Sequence, residues 1–200
     1  MVIDGIYYAL ALTAGGAIVW YLSQPVFALP LFVLAAFCLY FFRDPERAIP
    51  DGPVAVSPAD GKVVAIYPEA ATTRISIFLN IFDVHVNRAP IAGRITAVEY
   101  MKGQFLVASR EVASSENERN IVTLQGAGSC VRFSQIAGLI ARRIVFHKKV
   151  GDQVAKGERV GLIKFGSRVD VFLGPEWEII AKIGEHVSCG SSILARQRQV

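Results

Sequence analysis

Charge is missing from the start of this chain. Between Asp4 and Arg43 there is no Asp, Glu, Lys or Arg, so that window has no polar face with which to lie on a soluble core. Cysteine is scarce as well. Cys38, Cys130 and Cys189 are an odd set with no CxxC among them, which argues against a disulfide framework and a zinc site. Only three histidines occur, His85, His147 and His186, so acid–base chemistry at neutral pH has few candidates. No GxSxG elbow is present, which argues against a hydrolase of that kind. The formal charge is a modest +4, with no basic run or aromatic–basic platform, so nucleic acid is not an expected partner.

The uncharged window holds two apolar runs, Gly5–Leu22 and Val26–Phe42, split by Ser23-Gln24-Pro25. Each is about 17–18 residues, close to the lower limit for a helix that spans a bilayer. Neither run has the basic leader and small-residue cleavage site of a signal peptide. Residues 1–42 are therefore read as a membrane-anchoring helical hairpin, with a helical pair in a soluble core or at the interface as the alternative. Arg43 and Arg47 follow the second run, and by the positive-inside rule the body of the protein belongs in the cytoplasm, at the cell membrane.

Residues 43–53 form a linker punctuated by Pro45, Pro50, Asp51-Gly52 and Pro53. From 54 to 200 the texture changes to short Val-, Ile- and Phe-rich segments separated by Gly, Pro, Asn and Asp. The candidate strands are Lys62–Ile66, Arg74–Asn80, Gly93–Tyr100, Asn120–Leu124, Val131–Gln135, Arg142–Phe146, Arg159–Phe165, Arg168–Leu173 and Glu178–Ile183. Such spacing predicts a mainly β domain. The one candidate helix in the body is Phe105–Ser115. "HKKVGDQVAKGERVG" and "AKIGEHVSCGSSILA" repeat an outline that resembles barrel-sandwich-hybrid, lipoyl-like folds.

Three places could carry chemistry. His85, in "IFDVHVNRAP", stands at the end of an apolar strand with Asp83 and Arg88 nearby. Asp60, in "VSPADGKVV", is either part of an Asp-Gly turn or a functional carboxylate. "GLIKFGSRVD" sets Gly166-Ser167 into an otherwise strong strand pattern, where glycine is out of place. If Gly166 is strained, the Ser167 hydroxyl can attack its carbonyl carbon, since no Cβ blocks the approach. That N-to-O acyl shift, followed by β-elimination, cuts the chain and leaves a pyruvoyl group at 167. "CGSS" at Cys189–Ser192 is the weaker rival, because it belongs to a glycine turn.

Taken together, "FFRDPER", "VSPADGKVV", "FDVHVNRAPIAG", "NERN", "QIAGLIARRI" and "KGERVGLIKFGSRVD" resemble the phosphatidylserine decarboxylase family in its short bacterial and archaeal form. The resemblance runs from Arg43 to about Leu173. It implies a self-cleaving proenzyme with a covalent pyruvoyl group derived from Ser167, a β chain ending at Gly166 and an α chain that pairs with it. It further implies a membrane phospholipid substrate, whose serine amine forms a Schiff base and loses CO2 to give phosphatidylethanolamine. The family's Leu-Gly-Ser-Thr motif falls on Phe165-Gly166-Ser167-Arg168, keeping only Gly-Ser. Its triad carries over to Asp60, His85 and Ser167, with Asp60 expected to orient His85. Where longer members have a second histidine, this chain has Arg88. Arg88, Arg142 and Arg143 are the candidates for the lipid phosphate, and no metal is expected. Three other readings stay open: a membrane-anchored adaptor without catalysis, a lipoyl-type carrier using Lys148 or Lys149, and a decarboxylase of an ether-linked serine lipid. A homodimer is also left open.

Overall fold

The computed structural model describes residues 2–106, 113–138, 143–164 and 167–198. The chain divides into two compact units, Met1–Glu46 and Arg47–Val200.

The first unit is a pair of helices, α1 (Ile3–Leu22) and α2 (Pro25–Phe41). Pro25 opens α2, where its missing N–H has no partner to lose. A Cβ on Gly16 would stand 2.8 Å from the Phe32 ring, so glycine there allows the helices to touch. The 20-residue α1 is long and apolar enough to cross a membrane; the 17-residue α2 is shorter.

The second unit is mainly β, as its sequence predicts. Its strands begin with β1 (Val54–Val56), β2 (Gly61–Glu69), β3 (Thr72–Leu79), β4 (Val86–Arg88) and β5 (Gly93–Met101). A single helical turn, α3 (Ala113–Glu116), precedes β6 (Arg119–Gly126), β7 (Ser129–Ala137) and β8 (Arg143–Phe146). The rest are β9 (Gln153–Val154), β10 (Arg159–Lys164), β11 (Ser167–Leu173), β12 (Trp177–Ile179), β13 (His186–Val187) and β14 (Ile193–Gln197). The expected helix over Phe105–Ser115 falls mostly on 107–112, outside the described residues; only α3 overlaps it.

An eight-stranded sheet runs β13-β2-β3-β11-β7-β6-β5-β9. Two three-stranded sheets, β1-β14-β12 and β4-β10-β8, complete the unit. One core joins all three sheets. Ile75, Ile77 and Leu79 of β3 meet Val169 and Val171 of β11 and Phe133 of β7, with Ala55, Leu194, Val160 and Ile163 from the smaller sheets. Each such side chain contributes roughly 1.5–3 kcal/mol when buried. Period-2 alternation puts these residues on one face, which is why the sequence pattern found the longer strands.

The central strands lose this alternation toward one end. β7 reads buried–exposed–buried–exposed from Ser129 and is then buried at every position to Ala137. β11 is buried at six of its seven positions. Both faces of the sheet are therefore covered near Ser167 and Ala137, and that end holds the candidate residues.

Candidate active site

Ser167 is not in mid-strand. β10 belongs to the sheet with β4 and β8, whereas β11 is a central strand of the eight-stranded sheet. Phe165-Gly166, between β10 and β11, lie outside the described residues. Ser167 is the first residue of β11, flanked by Leu79 of β3 and Ala137 of β7. It is fully buried, and its hydroxyl has no hydrogen-bond partner among the described residues. A buried hydroxyl left unpaired costs about 1–3 kcal/mol, and natural proteins rarely retain one without a use.

Two strand ends lead from Ser167 to His85. Beyond Leu79, a turn at Asn80–Asp83 carries the chain to His85. It is tied by Asp83 N to Asn80 O (3.1 Å), Asn80 N to Asp83 Oδ2 (2.8 Å) and Phe82 N to Asn80 Oδ1 (2.7 Å). From the other side, Ile163 near the end of β10 donates its N–H to the His85 carbonyl at 3.2 Å. The imidazole is 2% exposed, and its Nδ1 lies 2.9 Å from the Asp83 carbonyl. A carbonyl only accepts, so Nδ1 carries a proton and, in the neutral ring, Nε2 is the acceptor nitrogen. The Asp83 carboxylate in turn meets His186 Nε2 at 3.1 Å.

Asp60 reaches the same end of the sheet from β2. Gly61 after it has φ +145°, and a Cβ there would strike the Phe78 carbonyl oxygen of β3. The Asp-Gly corner is thus a close approach that brings Asp60 to the edge of β3. The expected pairing of Asp60 with His85 is not the one made. Oδ2 of Asp60 accepts from Arg47 at 2.8 Å, and Oδ1 accepts from the Cys189 N–H at 2.6 Å. Arg47 and Cys189 come from opposite ends of the unit, and no local pattern signals either. The Cys189 thiol is enclosed against the Pro58 and Val86 carbonyls. Burial, then the Asp60 charge, pushes its pKa far above the usual thiol range, so it is not a nucleophile.

The three basic candidates separate. Arg88 is buried and donates from Nη1 to the Gly157 carbonyl at 3.1 Å. Arg143 is exposed on β8, opposite Lys164 of β10. Arg142 lies outside the described residues. Ser191, from the rival "CGSS", sits in a turn in which its N–H bonds to Ser188 O and Ser192 Oγ accepts from Ser188 N.

Sequence reasoning missed two buried polar clusters. Arg168 and Asp170 share the face of β11 opposite Ser167. Arg168 is 1% exposed and donates to Asp170 Oδ1 and Ser76 Oγ, both at 2.6 Å, while Arg74 adds a second cation near Asp170. The i, i+2 spacing of a cation and an anion in "SRVD" was the available signal. On the Ser167 face, Gln135 links Asn87 (2.9 Å) to Asn120 (3.1 Å). These three residues lie far apart in sequence, and nothing local announces them.

Comparison with known proteins adds a second line of evidence. A family model described as phosphatidylserine decarboxylase matches residues 34–195. The phosphatidylserine decarboxylase proenzyme of Solibacter usitatus is 67% identical over 197 residues, covering 98% of this chain and 97% of its own length. The proenzyme of that name from Cupriavidus pinatubonensis is 46% identical over 182 residues (86% of this chain, 84% of the relative). The one from Burkholderia multivorans is 48% identical over 181 residues (86% and 85%).

Proposed function

The chain belongs to the phosphatidylserine decarboxylase family, and on that premise we propose that it makes phosphatidylethanolamine from phosphatidylserine, using a pyruvoyl group formed from its own Ser167. The observation that carries this reading is the fully buried hydroxyl at the first residue of β11, unpartnered among the described residues.

In the maturation step, Ser167 Oγ bonds to the Gly166 carbonyl carbon and the Gly166–Ser167 C–N bond breaks, giving an ester. Loss of the Ser167 α-proton and cleavage of the Cβ–Oγ bond release a chain that ends in the Gly166 carboxylate. The dehydroalanine left at 167 takes up water and loses ammonia to become the pyruvoyl terminus. His85 Nε2 takes the Ser167 hydroxyl proton in the first of these steps. Pairing of residue 167 with Leu79 and Ala137 keeps the new terminus in the sheet after the cut.

The residues present fit such a group, since the Ser167 hydroxyl stands at a strand start with no competing hydrogen bond among the described residues. It supplies an electron sink for the pair left behind when carbon dioxide departs. His85 then serves as the acid: Nδ1–H stays on the Asp83 carbonyl, and Nε2 delivers the proton to the former Cα of the substrate. Asp60 acts without touching His85. With Arg47 and the Cys189 N–H it pins the corner that abuts β3. Arg143, exposed on β8, is better disposed toward a lipid phosphate than Arg88, which anchors β4 to Gly157. The helical hairpin holds the enzyme at the membrane, and Arg43 and Arg47 favour the cytoplasmic side.

Intact-mass spectrometry of the purified protein tests this reading. Two chains are expected, one ending at Gly166 and one beginning with a pyruvoyl residue at 167. A single uncut chain that is inert toward phosphatidylserine would favour an adaptor, and a cut before Ser191 would move the site.

A further inference from the structure

After Leu79 the chain makes an abrupt change of environment. Every residue from Asp83 to Pro90 is buried, yet the two before Asp83 are apolar and turned outward, with Ile81 39% and Phe82 61% exposed. They are not on a slack loop. The three hydrogen bonds within Asn80–Asp83 and the contact from His186 to the Asp83 carboxylate fix the turn from both sides. The exposed part of Ile81 and Phe82 gains nothing for folding, since that area stays in water.

Position gives these residues a use. Leu79, immediately before the turn, pairs with Ser167, and His85 lies just beyond it. The apolar tip therefore stands at the end of the sheet where the buried reactive residue begins. Beside it, β13 pairs with the start of β2, His186 facing Lys62. The turn leading into β13 presents Ile183, 65% exposed, next to the exposed Lys182. Asp83 holds His186 and the Asn80 N–H, while Glu185 is exposed and accepts from the Lys182 N–H. What is presented outward is an apolar tip with two lysines and one glutamate at its rim, a net positive combination that suits a bilayer surface carrying anionic headgroups.

We propose that the Asn80–Asp83 turn seats the β unit on the lipid bilayer, with Ile81 and Phe82 dipping into the interface and Lys62 and Lys182 meeting headgroup phosphates. This goes beyond tethering by the helical hairpin. It makes the rim of the active site itself a membrane contact, so that a lipid can pass from the bilayer toward residue 167 without its chains crossing water. The proposal rests on the reading above that the substrate is a bilayer lipid.

The test uses the full chain, with Trp20→Phe introduced to leave Trp177 as the only native tryptophan. Phe82→Trp is added, and the protein is reconstituted in phosphatidylcholine vesicles containing phosphatidylglycerol, with and without brominated acyl chains. The additional emission should be blue-shifted and several-fold more strongly quenched by the brominated lipid than that of Trp177. Quenching no greater than that of Trp177 overturns the proposal, and a blue shift without quenching overturns it in favour of a second protein copy. In parallel, Ile81→Ser/Phe82→Ser should lower turnover of phosphatidylserine in vesicles by about tenfold, the loss expected for about 1.4 kcal/mol of seating free energy. Self-cleavage and turnover of a soluble short-chain phosphatidylserine should be unchanged. Equal activity on vesicles also overturns it. Inactivity of the unsubstituted protein on both substrates would instead strike the decarboxylase reading, which the quenching does not depend on.

Discussion

The two faces of β11 hold their polar groups in opposite ways. On one, Ser167 presents a buried hydroxyl with no partner among the described residues to a core of Leu79, Val169 and Ile77. On the other, Arg168 places a buried guanidinium between Asp170 and Ser76, with Arg74 near the same carboxylate. Neighbouring residues thus have contrary energetics. The serine is destabilising as it stands, and its proposed use is in chemistry. The arginine's burial is tolerable only because its charge is matched and its hydrogen bonds are made. If the chain is cut before Ser167, as proposed, β11 needs something other than the peptide bond to hold it, and the Arg168 face supplies that.

The comparison is broken most sharply at Ser167. Ser167→Ala should abolish self-cleavage, giving one full-length band on a denaturing gel. It should leave the fold at least as stable in urea, because an unpaired buried hydroxyl is removed. A large loss of stability would mean that the hydroxyl has a structural role. His85→Ala comes next: decarboxylation should fall by about 10²–10⁴-fold, the usual worth of a positioned acid or base, with maturation slowed alongside. Rates equal to wild type would remove His85 from the site.

On the opposite face, Arg168→Met made in the Ser167→Ala chain should cost up to about 3–5 kcal/mol in urea unfolding, since buried Asp170 is left with the more distant Arg74 as its cation. Adding Asp170→Leu should recover part of that loss, because the partners are coupled. Additive losses would show that the two residues act separately.

A solvated pair gives the scale for that buried one. Lys148 and the Ala155 N–H hold the Glu158 carboxyl below the usual glutamate range. Because the folded pKa is the lower one, the stabilisation is complete above the unfolded value of about 4.3 and is lost as pH falls through the folded value. Glu158→Gln should therefore cost less than about 1 kcal/mol at pH 7 and nothing at a pH well below 4. Urea midpoints at the two pH values check this. Equal losses at both would assign the effect to packing.

Local sequence rules carried a good part of this protein. The longer strands were legible because alternating Val, Ile and Phe at Arg74–Asn80 or Gly93–Tyr100 has one arrangement that buries a face. The helical pair was legible because 38 uncharged residues interrupted by Ser-Gln-Pro have few other options. Strands of two or three residues, such as β4, β9 and β13, were missed: so short a segment completes no period, and its neighbours alone hold it in place. Ser167 stood out only because a glycine-serine pair contradicted its surroundings.

What the sequence by itself determined was which residues face inward, together with the oddity at Gly166-Ser167, since side-chain alternation is a property of neighbours along the chain. Which strand lies beside which was decided only by the tertiary structure. β10 and β11 read as one broken strand, yet they belong to different sheets. Asp60 found Arg47 and Cys189 instead of His85, and Arg168 found Ser76 across the sheet. These pairings join residues far apart in the chain, and their selection comes from burying one shared core and matching each buried charge, conditions that no short window of sequence contains.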